Sequence, residues 1–98
     1  MERTIRWTKI AIRQFHAAVD YIRLDSVQNA EKARLTILAK VNSLVDDKLV
    51  HRKDPYKKDN DGSFLYFEIV KYRIVYRLIG NEVVIVRVRH TSREPDFY

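Results

Sequence analysis

Four arginines stand at alternating positions late in the chain: Arg73 and Arg77 in one apolar run, Arg87 and Arg89 in the next. The planar guanidinium fork makes two parallel hydrogen bonds to a phosphate or a carboxylate. On one shared surface these four would therefore form an anion-binding patch. Each taken singly also fits a solvated face with ion pairs to Glu68 and Glu82. As a group, in a chain this basic, they fit binding better. His90 follows directly; its imidazole could act as a general acid or base, or pin a strand end by hydrogen bonding. Arg52, Lys57 and Lys58, with His51 beside them, add cationic character upstream. The three histidines lie far apart with no His-x-x-x-His spacing, so no metal site is expected. No phosphate loop, serine elbow or paired-carboxylate motif appears, and no cofactor is expected. Of Tyr66, Tyr72, Tyr76 and Tyr98, the first three suit core or edge packing. Tyr98 needs a tail that folds back, which would bring its hydroxyl near His90 and Arg93.

The elements that must carry these groups follow from periodicity. Residues 2–7 alternate polar and apolar, with Ile5 and Trp7 on one side, as in a half-buried strand. Thr8 is a plausible helix N-cap. From Lys9 to Leu24, Ala11, Phe15, Ala18 and Ile22 recur at helical spacing, widened by Ile12 and Val19. Asp25 or Ser26 caps a second helix, in which Ala30, Ala33, Ile37, Val41 and Leu44 repeat to about Lys48. Residues 50–63 are polar, with Pro55, Asn60 and Gly62, and read as a loop. The period then becomes two: Ser63–Val70, Tyr72–Ile79 and Glu82–Arg89 read as three strands. Gly80-Asn81 signals a tight primed turn, and Thr91–Tyr98 reads as an irregular tail.

Alternation predicts Val84, Val86 and Val88 against the helices, and Val83, Ile85, Arg87 and Arg89 on the open face. The whole is an α+β two-layer domain with order β-α-α-β-β-β, in which one sheet face covers a helical hairpin. Its 98 residues suit one domain, 1–98.

The formal net charge is +6, and residues 1–49 and 50–98 each contribute +3 of it, so the excess belongs to the fold and not to a tail. Such a balance points to an anionic partner, nucleic acid or acidic protein. There are no cysteines, which rules out disulfides and suits a reducing cytoplasm. No stretch reads as a signal peptide or a membrane span, so a cytoplasmic protein is expected.

Three stretches together resemble the RelE/ParE toxin superfamily. Lys71-Tyr72-Arg73-Ile74-Val75-Tyr76-Arg77 is similar to its central strand. Val86-Arg87-Val88-Arg89-His90-Thr91-Ser92-Arg93 is similar to its last strand and the basic turn after it. Asp20-Tyr21-Ile22 with Asn29-Ala30 is similar to its helix hairpin. The resemblance implies a growth-inhibiting toxin of a type II toxin–antitoxin, or plasmid stabilisation, system, neutralised by a cognate antitoxin. RelE-like members cut mRNA on the ribosome; ParE-like members poison DNA gyrase. On the nuclease reading, a metal-independent endoribonuclease, Arg73 and Arg93 would hold phosphate, with His90, Glu68 or Tyr98 moving protons. Arg52, Lys57, Lys58, Arg77, Arg87 and Arg89 would bind anion or nucleic acid. Lysines expected on the preceding strand are replaced by Tyr66 and Glu68. The ending Arg87-Val88-x-His90-x-x-Arg93 is closer to ParE-like toxins, so the resemblance leans that way.

Overall fold

The computed structural model describes residues 3–46, 51–93 and 96–98. Strand β1 (Thr4–Trp7) leads into helix α1 (Lys9–Arg23) and helix α2 (Val27–Asn42), which a 3-10 turn (Ser43–Val45) follows. Both expected N-caps form, because a short hydroxyl side chain satisfies an amide that the first turn leaves unpaired. Thr8 accepts from the Ala11 amide and Ser26 from the Asn29 amide. The second helix closes earlier than the apolar repeat suggests. The Ser43 hydroxyl turns back onto the Lys40 carbonyl and the ladder tightens. Lys48 lies outside the described residues.

A two-residue strand, β2 (Arg52–Lys53), interrupts the expected loop. Three longer strands follow: β3 (Phe64–Ile69), β4 (Tyr72–Ile79) and β5 (Glu82–His90). They make one five-stranded sheet in the order β1-β5-β4-β3-β2, antiparallel except for β1, which runs parallel to β5. The helical hairpin lies on one face. Ala11, Phe15, Ala18, Val19, Ala30, Ile37, Val41 and Leu44 bury their side chains against Phe67, Tyr72, Ile74 and Tyr76. Ile12, expected in the buried stripe, is exposed. Among the described residues no helix is long and apolar enough to cross a membrane.

The expected sidedness of β5 holds at one end only. Val75 stands opposite Arg87, but Tyr76 stands opposite Ile85, so Val86 has no partner and forms a β-bulge. A bulge inserts one residue and reverses the alternation beyond it. Val83 and Ile85 therefore join Val88 in the core, while Val84 pairs with Arg77 on the open face. The arginines keep their expected face because they lie past the bulge.

Gly80, at φ 57°, makes the tight β4–β5 turn that its residue type allows. The β3–β4 turn is made without glycine: Val70 and Lys71 both sit at positive φ, 46° and 67°. A branched Cβ crowds the following carbonyl in that region, so this hairpin tip is strained. Replacing Val70 by Asn and Lys71 by Gly is expected to stabilise the protein by about 1–2 kcal/mol. Chemical denaturation of the double variant checks this, as a rise in midpoint at unchanged slope.

Candidate functional site

Directly opposed residues share a sheet face. Arg73 opposes Arg89 and Glu68, and Val75 opposes Arg87, so the open face gathers Arg73, Arg87 and Arg89. They line a cavity of about 150 Å³ with Glu68, His90 and Arg93. Tyr98 lines it too, so the five candidates for phosphate and proton chemistry share one cleft. Arg77, Arg52, Lys57 and Lys58 stand outside it.

Asp54 organises the cleft, and sequence reasoning passed over it. It follows β2 and is only 2% exposed. Its Oδ1 accepts from Arg73 at 2.8 Å and from the Tyr56 amide at 3.1 Å, and its Oδ2 accepts from the Tyr98 hydroxyl at 2.5 Å. Burial by itself raises this carboxyl. The hydrogen bonds from Tyr98, Arg73 and the Tyr56 amide, with the Arg73 charge, outweigh burial and hold it below the ordinary carboxylate value. The legible signal was a lone acid among Arg52, Lys53, Lys57 and Lys58, the place for a counter-ion. Asn60 fixes the loop around it. Its amide donates to the carbonyls of Asp54 and Phe64, and its oxygen accepts from the Gly62 and Phe64 amides.

Arg73 is thereby spoken for. Its guanidinium lies 3.6 Å from the centre of the Tyr66 ring and 4.8 Å from that of Tyr56, with Glu68 at 3.8 Å. Arg87 lies over the Tyr98 ring at 4.1 Å, and Asp96 reaches Arg89 at 3.1 Å and Arg87 at 4.0 Å. Arg77 turns to Ser63 and Asp61. Glu82 pairs with Arg6 of β1.

The tail folds back into the cleft that His90 and Arg93 also line. There the Tyr98 hydroxyl donates to Asp54. The Tyr98 amide donates to the Tyr56 carbonyl, and its own carbonyl accepts from the Lys58 amide. Lys57 reaches the same carbonyl and lies over the Phe64 and Tyr98 rings. Burial first, then the bond to Asp54 and its charge, push the Tyr98 phenol far above its ordinary value. Lys57 and Lys58 thus hold the tail, and Arg52 stays exposed at the sheet edge.

His90 opposes Tyr72, on the helix side, and meets its ring edge-on at 5.0 Å. Its Nδ1 accepts from the Ser92 amide at 3.0 Å. His51 belongs to the core side. Its Nδ1 shares a 2.7 Å hydrogen bond with the Tyr76 hydroxyl, away from the arginines. Burial, then the charges of Lys40 and Arg3, lower its pKa.

The depressed His51 and Asp54 predict stepwise acid sensitivity. The folded protein resists protonating His51, so this part of the stability is present above the ordinary value of 6.5 and declines as pH falls below it. The Asp54 contribution is present above 3.8 and is lost as pH falls through its lower folded value. Thermal melts from neutral to strongly acid pH are expected to show two declines. His51→Gln should flatten the upper one.

A second groove runs between α1 and the end of β5, lined by Gln14, Tyr21, Tyr72, His90 and Arg93 among others. It exists because β1 pairs with β5 only through Ile85. Farther along, Gln14 Oε1 accepts the Val88 amide at 2.8 Å in place of a strand.

Known proteins share this architecture. One chain of the chromosomal ParDE toxin–antitoxin system from P. aeruginosa superposes with a TM-score of 0.72 at 20% identity, covering 93% of this chain and 98% of that one. A chain of the RelBE2 toxin–antitoxin complex from Mycobacterium tuberculosis gives a TM-score of 0.64 at 21% identity, covering 92% and 99%. No curated protein sequence matches the chain significantly. The family profile described as "ParE toxin of type II toxin-antitoxin system, parDE" matches residues 5–95. With that match spanning nearly all of a strand, a helical hairpin and the sheet that carries the arginine cleft, the chain belongs to the ParE toxin family of type II toxin–antitoxin systems.

Proposed function

We propose that this toxin acts in the cytoplasm by binding a protein target, DNA gyrase on the family resemblance, and does not cut RNA. The observation that carries this reading is the engagement of Arg73. A phosphate clamp needs a cation free to meet the charge that develops in the transition state. Arg73 is bound to Asp54 at 2.8 Å and enclosed by Tyr66 and Tyr56. Proton transfer would fall to His90 or Glu68, since arginine stays protonated. His90 Nδ1 is taken by Ser92, and Glu68 lies against Arg73.

Neutralisation is by a small acidic antitoxin that folds on binding. The net charge of +6 and the exposed Tyr21, Leu24 and Val27 where the two helices meet suit such a partner. Induction of the toxin alone is expected to arrest growth, and co-expression of the antitoxin to restore it. Purified toxin is expected to inhibit supercoiling by gyrase and to leave ribosome-bound mRNA intact. His90→Gln and Glu68→Gln, once shown to fold, are expected to keep toxicity. In a nuclease, loss of a general acid or base would lower cleavage about a hundredfold or more. Cleaved mRNA from the parent toxin, lost in either variant, would establish the nuclease instead.

A further inference from the structure

Asp96 is 60% exposed at its side chain, yet it sits on Arg89 and Arg87, whose side chains are 23% and 15% exposed. Two half-buried guanidinia are thus presented to one exposed carboxylate supplied by the chain itself. Tyr98 holds that carboxylate there through its backbone bonds to Tyr56 and Lys58 and its hydroxyl bond to Asp54. An ion pair with so exposed a partner is weak, so exchange of Asp96 for another carboxylate costs little.

We propose that Arg87 and Arg89 form a carboxylate-recognition site whose resident ligand, Asp96, gives way to an acidic side chain of a partner protein. This deepens the reading above and rests on its acidic protein partner. The surroundings favour a carboxylate over a polyanionic nucleic acid. The cleft is small, about 150 Å³, and the group that already occupies its arginines is a carboxylate. The Tyr98 ring on Arg87 supplies an aromatic wall beside the fork. Seen this way, Asp96 is an internal competitor, and partner affinity is reduced by the fraction of time it occupies the arginines.

The test uses the full chain and a capped peptide of alternating glutamate and alanine, with a glutamine–alanine peptide and a ribo-oligonucleotide of equal charge for comparison. Binding is read from the Nε–H resonances of Arg87 and Arg89. Asp96→Asn is expected to bind the glutamate peptide roughly fivefold more tightly than the parent, the scale of one exposed ion pair released. Asp20→Asn makes the same charge change on α1, where Asp20 pairs with Arg23, and is expected to have little effect. Arg89→Gln is expected to weaken binding, with the amide spectrum confirming the fold. Equal gains from Asp96→Asn and Asp20→Asn would overturn the proposal, as would binding that survives Arg89→Gln. So would an oligonucleotide that binds more tightly than the peptide. None of these readouts needs the antitoxin, so absence of growth arrest would sink the toxin reading without touching the site.

Discussion

Asp54→Ala is expected to destabilise the protein by about 3–5 kcal/mol, the range for breaking one side of a buried ion pair. Three donors lose their acceptor at once: the Arg73 guanidinium, the Tyr56 amide and the Tyr98 hydroxyl. Arg73 is the severe case, because it cannot lose its proton and its side chain is only 17% exposed. The Tyr98 phenol also loses one of the bonds that tie the tail to the loop. For a domain of this size each kcal/mol corresponds to roughly 4–8 °C, so the melting temperature should fall by tens of degrees. Arg73→Met in the same background should recover part of the loss by removing the orphaned charge. Melts of the single and double variants decide it; additive losses would mean that the pair is not coupled.

The second large effect tests the bulge. Ile85→Ala is expected to cost about 2–5 kcal/mol, because Ile85 is fully buried against the helices and its removal leaves a cavity. Val86→Ala is expected to cost about 1 kcal/mol or less, since Val86 has no cross-strand partner and is only half-buried. Strict alternation from Val84 through Val88 predicts the reverse order. Equilibrium unfolding of the two variants therefore tests the register directly.

That contrast shows where the sequence stops being legible. Thr8 and Ser26 were readable as caps because capping is local chemistry. The helical stripe of Ala30, Ala33, Ile37, Val41 and Leu44 was readable because period alone specifies it, and all five are buried. The bulge was not, because Val83-Val84-Ile85-Val86 is apolar throughout and marks neither face. Asp54 was legible only as a lone acid among cations; its partners Arg73 and Tyr98 are distant along the chain and meet only after the sheet and tail are assembled. Tyr98 was half legible: a tyrosine there called for a returning tail, but nothing local named its acceptor. His51 looked like part of a cationic loop, and its neighbour Tyr76 became visible only with the fold.

The parallel pairing of β1 with β5 has a consequence during synthesis. β1 leaves the ribosome well before its partner Glu82–Ile85, because the helical hairpin and three strands lie between them. Until β5 emerges, Ile5 and Trp7 have no sheet edge to join, and contacts so far apart in sequence form late. The nascent helices can pair with each other, but the layer they cover is unfinished until β5 has emerged. A chain stalled midway therefore has neither the closed sheet nor the stapled tail, and exposes an unpaired strand and apolar helix faces, features that favour aggregation. On this account, the arginine cleft is assembled only once β5 and the returning Tyr98 have both emerged.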